Sequence, residues 1–97
     1  MKRNPIINGV DTAPGATVNV SIGAEVTCAP SHAWLESVPA GQSLAPDQRL
    51  PTRANQPNIQ YEVATFVPSK AGTYRLRFTE STLANAFRGG YVDIVAS

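Results

Sequence analysis

The 97-residue chain has one cysteine, one histidine and one tryptophan. A lone Cys28 forms no disulfide within the chain, and Cys28 with His32 falls short of the four ligands a structural zinc site usually takes. Charge is scarce as well. Only 15% of residues are charged, against about a quarter in an average soluble domain. Eight basic and seven acidic residues leave a net charge of +1, and no run of lysine or arginine exceeds Lys2-Arg3. The electrostatic footprint of a nucleic-acid binder is therefore missing. No apolar stretch approaches the ~18 residues a membrane helix requires, and no apolar segment long enough for a secretory signal follows Lys2-Arg3. The expectation is synthesis in a cytoplasm without a signal peptide, and no membrane or nucleic-acid partner.

Reactive groupings are equally thin. Cys28 and His32 lie four residues apart around Ala29-Pro30-Ser31. Pro30 prevents the helix that would bring them onto one face, so the spacing carries no nucleophile-and-base geometry. Cys28 reads instead as a small buried hydrophobe. The acidic residues Asp11, Glu25, Glu36, Asp47, Glu62, Glu80 and Asp93 are scattered, and no two of them suggest a carboxylate pair split into acid and base. Asn8 with Asp11, or Asp47 alone, supplies too few oxygens for calcium. Phe87-Arg88-Gly89-Gly90 holds a single Arg-Gly-Gly, and no glycine-rich phosphate cradle is present. The chain reads as non-enzymatic, with no catalytic residue, cofactor or metal.

What the sequence does have is turn chemistry and alternation. Eight prolines and seven glycines argue against a helical bundle, while 42% hydrophobic residues suffice for a core. Val18, Val20 and Ile22 alternate with Thr17, Asn19 and Ser21, which predicts a half-buried strand. Gly23 is expected to bend or bulge it before Glu25-Val26-Thr27 carry it on. Further strands are expected over 33–38, 59–67, 73–79 and 91–96, with an edge strand over 5–10. Ala13-Pro14-Gly15, Pro39-Ala40-Gly41, Ala71-Gly72 and Gly89-Gly90 are turn signals. Residues 81–87 carry the one helical pattern, a single turn. The domain reading is an N-terminal arm or edge strand over 1–14, followed by one domain over 15–97 with a long loop at 39–58. That loop contains Pro39, Pro46, Pro51 and Pro57, with Leu44 and Leu50 as its main apolar residues. Loops of this length are usually functional or disordered; a short edge strand near 48–50 is the alternative.

The most informative segment is Phe66-Val67-Pro68-Ser69-Lys70-Ala71-Gly72-Thr73-Tyr74-Arg75-Leu76-Arg77-Phe78. It resembles the corner between the fifth and sixth strands of immunoglobulin-like sandwiches, where an Ala-Gly-x-Tyr sequence precedes an alternating strand. The resemblance implies an all-β, immunoglobulin-like antiparallel β-sandwich of about seven strands without a disulfide. It implies that the Tyr74 hydroxyl bonds back to the chain just upstream, that Gly72 makes the turn, and that Leu76 stands where antibody-type domains place their second cysteine. It also implies that Trp34 is the core tryptophan of the third strand, so that its loss costs ~3 kcal/mol or more.

Alternation then sets directions. Tyr74, Leu76, Phe78, Val92 and Ile94 face inward; Arg75, Arg77, Tyr91, Asp93 and Val95 face outward. If the two strands pair antiparallel, Asp93 meets Arg75 or Arg77 and Tyr91 lies beside an arginine. Arginine and tyrosine are favoured at interface centres. Arg75, Arg77 and Tyr91, with Arg49 and Arg53 in the long loop, are therefore the candidate protein-binding residues.

Three functions follow. A structural or interaction module comes first. A free-standing domain of this kind resembles accessory proteins that decorate phage capsids or tails, which implies a virion location, a repeated protein lattice as partner and a homo-oligomer. The segment order, from Gly15 to Ile22, Trp34, and Lys70-Ala71-Gly72-Thr73 to Phe78, also resembles the scaffold of chagasin-like cysteine-protease inhibitors. Their working loops are not matched by Cys28-Ala29-Pro30-Ser31-His32-Ala33 or by residues 80–88. A carbohydrate or cell-surface binding module is third, and needs exposed aromatics among Tyr61, Phe66, Phe87 and Tyr91.

Overall fold

The computed structural model describes residues 2–42, 49–55, 61–80 and 86–97. These residues form nine strands and no helix: β1 (Ile6–Ile7), β2 (Val10–Asp11), β3 (Thr17–Val20), β4 (Val26–Ala29), β5 (Ala33–Ser37), β6 (Thr52–Ala54), β7 (Glu62–Phe66), β8 (Gly72–Phe78) and β9 (Gly90–Ala96). They make a β-sandwich. One sheet runs β2-β1-β4-β7-β6 and the other β3-β9-β8-β5. All pairings are antiparallel except β3 with β9, which is parallel.

Period-2 alternation builds the core. Ile7, Val26, Cys28, Ala64 and Phe66 of the first sheet face Leu35, Tyr74, Leu76, Phe78, Val92 and Ile94 of the second in one buried cluster. Leu76 is fully buried and takes part in it as an ordinary core side chain. The Phe66 and Tyr74 rings meet at 5.6 Å in a tilted arrangement.

Several expectations need correction. Residues 17–27 are not one strand bent at Gly23. Gly23 takes φ +88° in a turn closed by the Ala24 amide on the Ser21 carbonyl at 3.2 Å, and the chain crosses there from β3 in one sheet to β4 in the other. Nor is Trp34 a core residue. It lies half-buried between the buried Ala33 and Leu35, opposite Arg77 of β8, so its side chain is on the outer face and Leu35 takes the inward place.

The described residues of the long loop carry sheet structure. The Arg49 backbone bridges to Trp34, and the Leu50 amide donates to the Ala33 carbonyl at 3.0 Å. Two residues later β6 joins the first sheet beside β7. Leu50, buried in the main cluster, fills the gap where the chain changes sheet. The bridge at Arg49 falls within the alternative edge strand at 48–50; residues 43–48 and 56–58 of the long loop lie outside the described residues, as do 59–60 and 81–85.

The described N-terminal residues pair into the sandwich. β1 and β2 form a hairpin on β4, and Arg3 bridges to Phe87. The Arg3 amide donates to Ala86 O at 2.7 Å and Arg88 N–H to Arg3 O at 2.8 Å, while the Arg3 guanidinium stands 4.4 Å over the Phe87 ring. Phe87, Ala29 and Val63, with Ile6 and Tyr61, form a second small apolar cluster. Phe87 thus pins the N-terminus to the residues that precede β9.

Candidate functional site

The corner before β8 is held by one hydroxyl. Tyr74 Oη accepts the Lys70 amide at 3.1 Å and lies 2.8 Å from the Lys70 carbonyl and 2.7 Å from Gln42 Oε1. Its single proton serves one of these two acceptors at a time. Gln42 Oε1 also accepts the Ser69 amide at 3.0 Å and the Ser69 hydroxyl at 2.6 Å. The residues before β8 and those after β5 are therefore tied together. Gly72 sits at φ +138°, and a Cβ there would come 2.7 Å from Pro39 Cβ. Its role is close packing against Pro39 as much as turning.

From this corner β8 and β9 run side by side and carry their alternate residues outward. Register places Arg77 opposite Tyr91 and Arg75 opposite Asp93. Trp34 on β5 lies opposite Arg77, and Arg49 bridges to Trp34 from the far side. Directly opposed residues project to the same face with Cβ atoms about 5 Å apart. Arg49, Trp34, Arg77 and Tyr91 therefore form one row across the outer face of the second sheet. A second row holds Ser37, Arg75, Asp93 and Thr17.

Within these rows the arginines are fixed by forks. Arg75 donates from Nε and Nη2 to the two Asp93 oxygens at 2.9 and 3.1 Å. Arg77 donates in the same manner to Glu36 at 3.0 and 3.0 Å. The irregularity between Leu35 and Ser37 leaves Glu36 without a partner in the β8 register and beside Arg77. The Arg75 hydrogen bonds hold the Asp93 carboxyl below its usual pKa, and Asp93 in turn raises Arg75. Over Tyr91 the Arg75 guanidinium stands 4.0 Å from the ring centroid and that of Arg77 5.6 Å, distances at which a cation is attracted to the ring. The result is an array of half-buried side chains, Trp34, Arg75, Arg77 and Tyr91, in which both β8 guanidiniums are held in place.

The candidate residues divide accordingly. Arg75, Arg77, Tyr91 and Arg49 come together on this face. Arg53 does not. It lies on exposed β6 opposite Val63 of the first sheet and pairs with Glu25 at 2.6 Å, a hydrogen bond that lowers the Glu25 pKa. Trp34 and Glu36 belong to the face and were not among its expected members. Alternation alone identifies them: once Leu35 points inward, Trp34 and Glu36 share the other side.

The remaining chemistry is dispersed. Cys28 is 1% exposed, its thiol is 3.4 Å from the Pro30 carbonyl, and burial pushes its pKa up to about 12. A thiolate is needed for nucleophilic or metal chemistry, so Cys28 behaves as core. His32 is exposed and its carbonyl accepts the Thr79 amide and hydroxyl. Among the described residues no three His, Cys, Asp or Glu side chains gather into a metal-binding group, and no helix is long and apolar enough to cross a membrane. Tyr61 is half-buried and Phe66 and Phe87 are buried, which leaves Trp34 and Tyr91 as the aromatics of the face.

These features define a small β-sandwich, free of disulfides, with one ordered Arg-Tyr-Trp face. Compared with known proteins, the chain matches no family model, no curated protein and no solved structure.

Proposed function

We propose that the protein is a non-enzymatic interaction module that docks on a protein partner through the outer face of the β3-β9-β8-β5 sheet. In its most specific form it is an accessory protein of immunoglobulin-like type that decorates a repeated lattice, such as a viral capsid or tail, as a closed homo-oligomer. The observation that carries the reading is the array itself: Trp34, Arg77, Tyr91 and Arg75 side by side, with both β8 guanidiniums clamped on carboxylates. Tryptophan, tyrosine and arginine are the residues enriched at binding hot spots. Side chains already held in one rotamer lose little further entropy on docking. Equivalent sites on a lattice would multiply the modest affinity of one small face.

The other readings have less support. An inhibitor needs a projecting loop, whereas Cys28, Ala29 and Ala33 are buried and the residues between them are tied down by Ser31 Oγ on Glu62 at 2.9 Å and by the Thr79 bonds to His32. A sugar platform is usually built on several bare rings; Arg75 covers that of Tyr91, which leaves the half-buried Trp34 as the one uncovered ring among the described residues of this face.

The test is site-directed photocrosslinking. A crosslinking residue at Thr73 or Val95, on the outer face of β8 and β9, is expected to capture the partner. The same residue at Thr65, on the outer side of the other sheet, is expected to capture little. Equal capture from both sides, or capture from Thr65 alone, overturns the reading.

A further inference from the structure

The two rows hold three guanidiniums and the Asp93 carboxylate, and Glu36 beside Arg77 adds a second carboxylate to the face, which leaves one positive charge among these described residues. The Arg75 and Arg77 forks are both filled from within the chain. Arg49 is different: it is exposed, and among the described residues no carboxylate pairs with it. It also stands at the end of its row next to Trp34, the largest side chain on the face.

A guanidinium covered by a partner must be given acceptors, because a buried charge without them is strongly unfavourable. A carboxylate matches its planar fork best. A polyanion does not suit the face as a whole, since Asp93 and Glu36 are fixed in it and repel a phosphate backbone. Resting on the outer face being the binding surface, we infer that its partner is a protein presenting a single carboxylate, an aspartate or glutamate seated on Arg49, beside an apolar side chain that packs against Trp34.

Trp34 is the only tryptophan in the chain, so its fluorescence reports occupancy of this corner directly. A random dodecapeptide library is panned against the full chain. Selected peptides are then titrated by Trp34 emission against the wild type, Arg49→Glu, Tyr91→Ala and Arg53→Ala, with circular dichroism to verify folding. Arg49 is exposed, so Arg49→Glu is expected to fold normally.

The expected result has three parts. Selected peptides carry Asp or Glu next to an apolar residue and change Trp34 emission. They bind Arg49→Glu at least tenfold more weakly, and they bind Arg53→Ala as they bind the wild type. Neutral or basic peptides that need Tyr91 but are indifferent to Arg49→Glu overturn the acidic-partner inference and leave the face reading standing. Peptides that leave Trp34 emission unchanged and respond to neither Arg49→Glu nor Tyr91→Ala overturn both, as does failure to select any peptide.

Discussion

Replacing Tyr74 by phenylalanine tests the corner that joins the two sheets with little change in volume. The ring is fully buried against Phe66 and phenylalanine keeps that packing, so only the hydroxyl is lost. The hydroxyl accepts one bond from the Lys70 amide and donates one, to the Lys70 carbonyl or Gln42 Oε1. Two hydrogen bonds at about 0.5–1.5 kcal/mol each give an expected cost of ~1–3 kcal/mol. With a urea m-value of about 1–1.5 kcal/mol/M for a domain this small, the unfolding midpoint falls by roughly 0.7–3 M with m unchanged. Each kcal/mol also lowers Tm by about 4–8 °C. Gln42→Ala removes a different part of the same clasp, so a double-mutant cycle with Tyr74→Phe should depart from additivity by ~0.5 kcal/mol or more. A midpoint within ~0.3 M of the wild type, together with additive effects, would refute the idea that this hydroxyl holds the corner.

Three other outcomes follow from the packing. Leu35→Ala should cost ~2–5 kcal/mol in urea unfolding, and Trp34→Ala clearly less despite the larger residue removed; the reverse order would place Trp34 back in the core. Leu50→Ala should cost at least ~2 kcal/mol, because Leu50 fills the seam where the chain changes sheet, and a surface-like change below ~0.5 kcal/mol would contradict that role. Cys28 should resist a thiol-specific reagent in the native state and react fully in urea. Its folded pKa is raised to about 12, so its contribution to stability is intact at neutral pH. That contribution falls as pH rises above the unfolded thiol's pKa of about 8.5. Cys28→Val should lack this decline, and identical alkaline profiles for the two proteins would refute the assignment.

Much of the architecture is legible locally. Gly72 and Tyr74, followed by strict alternation to Phe78, define the corner and the inward set of β8 without reference to any other strand. The same alternation in β9 turns Tyr91 and Asp93 outward. What is not legible depends on neighbours. Asp93 meets Arg75 rather than Arg77 because of the hairpin register, and residues 79–89 do not state that register in their composition. Glu36 reaches Arg77 because β5 is irregular opposite β8, a property of the pair. Gly23 looks like a bulge in one strand and is a change of sheet, since positive φ serves both. Trp34 misleads by size: hydrophobic bulk argues for the core, while its place between Ala33 and Leu35 argues for the face, and the alternation prevails. Leu50 and β6 are hidden in a proline-rich stretch because an edge strand needs few apolar residues of its own.

The role proposed for the Arg-Tyr-Trp face is to attach the protein to a larger protein assembly. The most direct measurement is sedimentation of the tagged chain in a lysate of its source, comparing the wild type with Arg77→Glu/Tyr91→Ala after circular dichroism shows both folded. The wild type is expected to travel with a particle far larger than the 10.3 kDa chain, and the variant to stay near the top of the gradient. A wild type that remains a small species, or a variant that still travels with the particle, would contradict it.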